Sequence, residues 1–282
     1  MANKKDSLGD RMKTKYENVT RTYLPRRTYV IIRLDGKAFH SYTKDCERPF
    51  DKVFSDAMDM TSKYLCENIQ GCKFAYVQSD EISLVLTDFE SITTQSWFDS
   101  NLQKMCSISA ALATAKFNQI RFEQTGKSTL AMFDSRVFTI ADKQEVINYI
   151  IWRQQDATRN SISMAAQSVF SHKELNKKST ADMQEMLFQK GINWNDYSVR
   201  FKHGGFIDKV SYEEKGAQRS RWEPIDMPII TQDRGFIGSR LPGGLFTEEQ
   251  VREIFDEFVS EIGIPDGVNG QDVITWLNNK FY

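Results

Sequence analysis

The sequence predicts an α+β fold, and three observations predict it. Three short apolar runs, Tyr29–Leu34, Phe74–Val77 and Ile82–Leu86, have the length and composition of buried strands, and Phe133–Ile140 reads as a fourth strand. Two longer stretches, 51–69 and 97–121, repeat apolar residues at helical spacing. Only Gln78-Ser79-Asp80-Glu81 separates the two middle strands, which makes them a hairpin. The resulting order is β-α-β-β-α-β, the ferredoxin-like unit.

Taken in order, residues 5–23 are polar with scattered Met12, Tyr16 and Val19, and read as a helix or ordered arm. Pro25-Arg26-Arg27 introduces strand one, about 28–35, and Gly36–His40 forms the turn after it. Pro49 and Asp51 mark the start of the first long helix, whose Phe54, Met58, Thr61, Tyr64 and Leu65 recur at helical spacing. Gly71 stops it. The second helix, from Trp97 to Arg121, carries Phe98, Leu102, Met105, Ile108, Leu112 and Ala115 on one face. Residues 142–171 read as helical, broken or bent near Arg159-Asn160, and Thr180–Gln189 as a further helix. From about 191, Gly and Pro punctuate short β-like pieces. Thr247 caps an expected helix to about Ile262, and a last helical turn or two ends at Tyr282. The expected division is a catalytic core with its N-terminal arm over 1–170, and a mixed β/α extension over 171–282 packed upon it.

A chain of 282 residues, 40% hydrophobic and 27% charged, has ordinary globular composition. Its formal net charge of −1 gives no global nucleic-acid signature, although a local basic patch suffices for one. Cys46, Cys66, Cys72 and Cys106 form no C-x-x-C pair and are expected as reduced thiols. There is no apolar leader and no run of membrane-span length, so a cytoplasmic location is expected.

The topology carries the functional reading. A right-handed β-α-β crossover sets strands one and two parallel, with strand three antiparallel between them. The end of strand one then lies beside the hairpin turn, which brings Asp35 and Asp80 together, with Asp134 at the same end. Each aspartate alone reads as a loop carboxylate capping backbone N–H groups. Paired at adjacent strand ends they repel and are partly desolvated, a cost that two Mg²⁺ ions would relieve. Two carboxylates and a carbonyl, that of Gly36, suit such hard cations, with phosphates and water completing the shell. Glu81 is a third candidate carboxylate, or a salt-bridge partner turned away by hairpin alternation. The turn Gly36-Lys37-Ala38-Phe39-His40 is expected to present N–H groups to a triphosphate, with Lys37 and His40 adding charge, although His40 reads equally as a surface histidine. Ser79 and Lys104 are further candidate nucleotide contacts; Lys104 also reads as a solvated helix lysine.

Two apparent motifs fail. Gly126-Lys127-Ser128 imitates the end of a Walker A loop, but Arg121 stands where its first glycine belongs. His40, His172 and His203 have no metal-motif spacing, and no G-x-S-x-G supports a hydrolase. Trp194, Tyr197 and Arg200-Phe201-Lys202-His203, and separately Arg219, Arg221 and Trp222, pair basic residues with aromatics as an RNA contact would, or as an ordinary β-hairpin would.

Arg33–His40, Ala75–Glu81, Phe133–Val137 and Tyr149–Asp156, with a later echo in Ile192–Asn195, resemble the tRNA(His) guanylyltransferase family and its 3′-to-5′ tRNA-repair polymerases. The blocks span about 5–205. The resemblance implies a polymerase-palm-like core, two Mg²⁺ ions, ATP and GTP as substrates, and nucleotide addition to the 5′ end of tRNA. It assigns the metals to Asp35, the Gly36 carbonyl and Asp80, and the nucleoside triphosphate to the turn through His40 with Ser79. It also implies a homo-oligomer, tetramers being frequent in the family. Departures lie at Thr158–Ala165, where a run of the eukaryotic branch is replaced with only Asn160 kept, and at Arg48–Asp51 and Met183–Glu185, where other runs of the family change, so the chain looks closer to the repair branch. Two readings compete: a palm-type nucleotide cyclase, whose hairpin would carry Gly-Gly-Asp/Glu-Glu-Phe, and a non-catalytic RNA-binding module.

Overall fold

The computed structural model describes residues 7–89, 91 and 93–242. The expected helices near 246–262 and at the C-terminus lie outside the described residues. The chain divides into two compact units, one of residues 1–88 with 95–241 and the other of 89–94 with 242–282. The sheet and its helices belong to the first unit.

Its elements are α1 (Leu8–Lys15), β1 (Tyr29–Gly36), α2 (Phe39–Tyr42), α3 (Lys52–Asn68), β2 (Cys72–Gln78), β3 (Glu81–Leu86), α4 (Leu102–Thr125), β4 (Phe133–Ile140), α5 (Lys143–Gln167), α6 (His172–Leu175), α7 (Thr180–Gln189), α8 (Val199–His203), β5 (Gly205–Glu214), β6 (Ala217–Ile225) and α9 (Gly235–Gly238). The sheet order is β4-β1-β3-β2-β5-β6. The first four strands keep the ferredoxin-like order, and β5 and β6 extend the sheet antiparallel from the β2 edge.

Alternation along β1 separates two layers. Val30, Ile32 and Leu34 face α3 and α4, in a core with Phe54, Met58, Leu65, Met105 and Phe117. Arg33 and Asp35 have the other parity, on the face that α5 covers. There Tyr149 of α5 shares a 2.9 Å hydrogen bond with Ser83 of β3. Asp51 caps α3 by accepting from the Phe54 N–H at 2.7 Å, an interaction worth about 1 kcal/mol.

Two element boundaries differ from expectation. The second long helix starts at Leu102, not Trp97, because Phe98, Asp99 and Ser100 all take positive φ. Asn101 caps it, accepting from the Lys104 N–H at 3.0 Å. The break expected near Arg159-Asn160 is absent, and α5 runs unbroken. Those two residues lie on its exposed side and lean back on Asp156, three and four positions earlier, pairs that support a helix rather than break it.

Candidate active site

β1 ends on Asp35 and Gly36, and β3 begins after the turn at Ser79-Asp80. Register places Asp35 opposite Glu81 on one side and opposite Asp134 on the other. The Gly36 N–H donates to the Asp80 carbonyl at 3.2 Å, so the two strand ends are stitched together where topology alone placed them. Burial pushes the Asp80 carboxyl up to about 6 from its ordinary 3.8, and the charge of Asp35 pushes it the same way. Arg136 reaches across from β4, 3.5 Å from Asp35 and 3.6 Å from Asp134.

This donor set suits a divalent cation. A desolvated carboxylate raised by a like charge is stabilised by a cation between the two. Among the described residues no three His, Cys, Asp or Glu side chains converge as a metal cluster. The chain would therefore supply Asp35, Asp80 and the Gly36 carbonyl, and leave other positions to phosphate and water.

A groove of about 400 Å³ opens beside the pair, lined by Gly36, Ala38, Phe39, His40, Ser79 and Asp80, with Thr43, Arg48, Phe54 and Met164. Of the five N–H groups in the turn, Gly36 and Lys37 spend theirs on the Asp80 and Met132 carbonyls. Those of Ala38, Phe39 and His40 make no hydrogen bond among the described residues and stand at the start of α2. Gly36 is required there: a Cβ would fall 2.6 Å from Phe39 Cγ. The Phe39 ring is itself fixed among Tyr42, Phe54, Phe117 and Phe133. The lysine of the false Walker motif has a structural task here. Lys127 Nζ binds the Tyr42 carbonyl at 2.6 Å and Asp45 at 2.7 Å, and so pins the far end of the turn. A smaller pocket of about 70 Å³ shares Phe54, Ser79 and Met164 with the groove and adds Gln78 and Asn160. Gln78 is buried and its Oε1 has no partner.

Lys104 is not brought to this site. It lies in the first turn of α4, near Asn101, which bridges Tyr23 before the start of β1. That is the opposite end of the sheet, and its ammonium sits over the Phe98 ring, 5.8 Å from the centroid. Glu81 is not free to ligate either: it is buried between Arg33 and Arg153. The basic and aromatic segment is likewise engaged internally. It forms α8 rather than a strand, Arg200 is paired with Asp59 at 2.7 Å, and Phe201 stacks on Phe50. Arg219 and Arg221 pair with Glu214 and Glu223 on a β-hairpin, and Trp222 is core. Arg48, Met164 and Asn160 line the pockets, though sequence reasoning gave them no role there. Among the described residues no helix is long and apolar enough to cross a membrane.

The family described as tRNAHis guanylyltransferase matches residues 9–141. A solved bacterial tRNA(His) guanylyltransferase-like protein in complex with ATP is 48% identical, with a TM-score of 0.77, over 83% of this chain and 99% of that one. Its counterpart in complex with GTP is 46% identical, with a TM-score of 0.71 and the same coverage. The tRNA(His) guanylyltransferase of Schizosaccharomyces pombe is 28% identical over 236 residues, 78% of this chain and 83% of that protein. With its sheet order, its paired strand-end aspartates and these similarities, the chain belongs to the tRNA(His) guanylyltransferase family of nucleotidyltransferases.

Proposed function

We propose that this protein is a Mg²⁺-dependent nucleotidyltransferase that adds nucleotides in the 3′-to-5′ direction to the 5′ end of tRNA, choosing each by pairing with the opposite strand. The observation that carries the proposal is the Asp35–Asp80 pair beside an open groove whose turn offers three N–H groups unpaired among the described residues. A cyclase is disfavoured by the hairpin, which carries Gln78-Ser79-Asp80-Glu81. A mere binding module would gain nothing from a half-buried, mutually repelling carboxylate pair.

In the first stage an oxygen of the tRNA 5′-monophosphate attacks the α-phosphorus of ATP or GTP. The bond to the β-phosphate breaks and pyrophosphate leaves. In the second, the 3′-hydroxyl of the incoming nucleoside triphosphate attacks the activated 5′-phosphorus. Its proton passes to solvent and the nucleoside monophosphate departs. A tRNA bearing a 5′-triphosphate needs only the second stage. Bound between Asp35, the Gly36 carbonyl and Asp80, two Mg²⁺ ions would neutralise phosphate charge and lower the pKa of the attacking hydroxyl. The N–H groups of Ala38, Phe39 and His40 would hold phosphate oxygens, Lys37 and His40 would add charge at the rim, and Ser79 would contact the nucleotide. Asp35 and Asp80 serve as ligands, not as general bases.

Selection by pairing accounts for the replaced runs at Thr158–Ala165 and Arg48–Asp51: the template supplies a choice that side chains need not make, and the protein grips phosphates and shape. By the family resemblance the protein is a cytoplasmic homo-oligomer. The test uses tRNAs lacking the first 5′ nucleotide, with each of the four bases opposite the gap. Addition of the complement every time, on tRNAs other than tRNA(His), is expected. Addition of G alone, and only to tRNA(His), would replace template-directed repair with guanylyl transfer.

A further inference from the structure

Glu81 directly follows Asp80, yet its carboxylate is spent on three side chains away from the groove. Arg153 of α5 grips it with two parallel bonds, Nε to Oε1 at 2.8 Å and Nη2 to Oε2 at 3.0 Å. Arg33 of β1 approaches Oε2 at 3.0 Å. Gln78 donates from Nε2 to Oε1 at 3.3 Å. One carboxylate therefore ties both ends of the Gln78–Glu81 turn to α5 and β1. The turn needs this hold, because Ser79 within it sits at φ +46°, which a residue with a Cβ seldom adopts unaided. Arg153 is braced in turn: Asp156 accepts from its Nη2 at 2.8 Å, and the Trp152 ring covers it at 4.3 Å. Both partners are buried, so the geometry is set by packing rather than by solvent.

We infer that Arg153 is a positioning residue which, through Glu81, fixes the turn that carries Asp80 and so sets the Asp80 carboxylate against Asp35. This rests on reading Asp35 and Asp80 as the cation-binding pair. Lysine at 153 would keep the charge but not the two parallel bonds. Mg²⁺ tolerates distorted ligand geometry badly, so a displaced Asp80 weakens cation binding before it affects nucleotide affinity.

The test compares wild type, Arg153→Lys, Glu81→Gln and Glu81→Gln/Arg153→Met. The double variant removes both members of the buried Glu81–Arg153 pair together and leaves only the partly exposed Arg33, over the Trp152 ring, without its carboxylate, so it is the one expected to fold even where a single loss of Arg153 does not. Arg240→Met, which breaks the Arg240–Asp208 pair elsewhere in the unit, controls for general destabilisation. Two quantities are measured: the Mg²⁺-induced rise in Tm without substrate, and single-turnover addition to a 5′-truncated tRNA as Mg²⁺ and nucleotide are varied. The expected result is a Mg²⁺-induced rise at least halved in the three site variants and intact in Arg240→Met. Their rate should fall at least 30-fold, with nucleotide KM within threefold of wild type. The double variant should be no worse than the more affected single one. Retained Mg²⁺ response and rate in Arg153→Lys and the double variant would overturn the inference while leaving the proposed activity standing. So would losses that multiply in the double variant. No Mg²⁺-dependent addition by wild type would overturn the proposed activity, and this inference with it.

Discussion

Replacing Asp80 by asparagine should stabilise the metal-free protein while destroying its activity. The carboxyl titrates at about 6 in the fold against an ordinary 3.8, so ionising it there costs about 3 kcal/mol relative to the unfolded chain. The folded protein holds this proton up to about pH 6, and the unfolded chain releases it near 3.8. Between those values the folded state binds more protons, so this group makes wild-type stability fall as pH rises from about 4 to 6, and contributes no slope above that. Asparagine keeps the shape without the charge. The variant should gain about 1–3 kcal/mol over wild type at pH 7.5 and nothing at pH 3.5. Urea melts at pH 3.5, 5.5 and 7.5 in chelator measure the difference, and added Mg²⁺ should then stabilise wild type but not Asp80→Asn. A variant less stable than wild type at pH 7.5, or equally more stable at every pH, would refute the reasoning.

Three further outcomes rest on particular contacts. Asp35→Ala and Asp80→Ala should each abolish nucleotide addition with an unchanged circular dichroism spectrum, since each removes a proposed cation ligand at a strand end rather than core. Gly36→Ala forces a Cβ into the Phe39 ring and should cost about 1–3 kcal/mol, read by urea melts, with loss of nucleotide binding as the turn moves. Arg200→Met leaves Asp59, whose side chain is only 14% exposed, without its partner and should cost about 3 kcal/mol, yet change tRNA affinity less than threefold in filter binding at fixed salt. A large loss of tRNA affinity there would restore the RNA-contact reading of that segment.

The β-α-β-β-α-β core was legible because each strand and helix carries its own period, and because crossover handedness then leaves one arrangement. That arrangement, rather than any motif, put Asp35 beside Asp80. What stayed hidden depends on contacts between distant residues. The start of α4 was obscured by Phe98–Ser100, which continue an apolar helical pattern but take left-handed backbone conformations. Placing that start also places Lys104 at the wrong end of the sheet for the groove. Glu81 was left between two roles because its partner Arg153 lies 72 residues away. A basic residue on the inward face of a helix was the available signal. Arg200 is bound to Asp59 across 141 residues, and a basic, aromatic cluster reads the same whether it faces RNA or its own core.

Nucleotide addition by the Asp35–Asp80 pair is tested most directly at tRNA 5′ ends. Total tRNA incubated with the protein, ATP, GTP, CTP, UTP and Mg²⁺, followed by sequencing of 5′ ends, should show 5′-truncated molecules extended by bases complementary to the opposite strand. Chelator or Asp35→Ala should leave the ends unchanged. Ends unaltered by the wild-type protein, or altered equally by Asp35→Ala, would contradict the assignment of nucleotide addition to that pair.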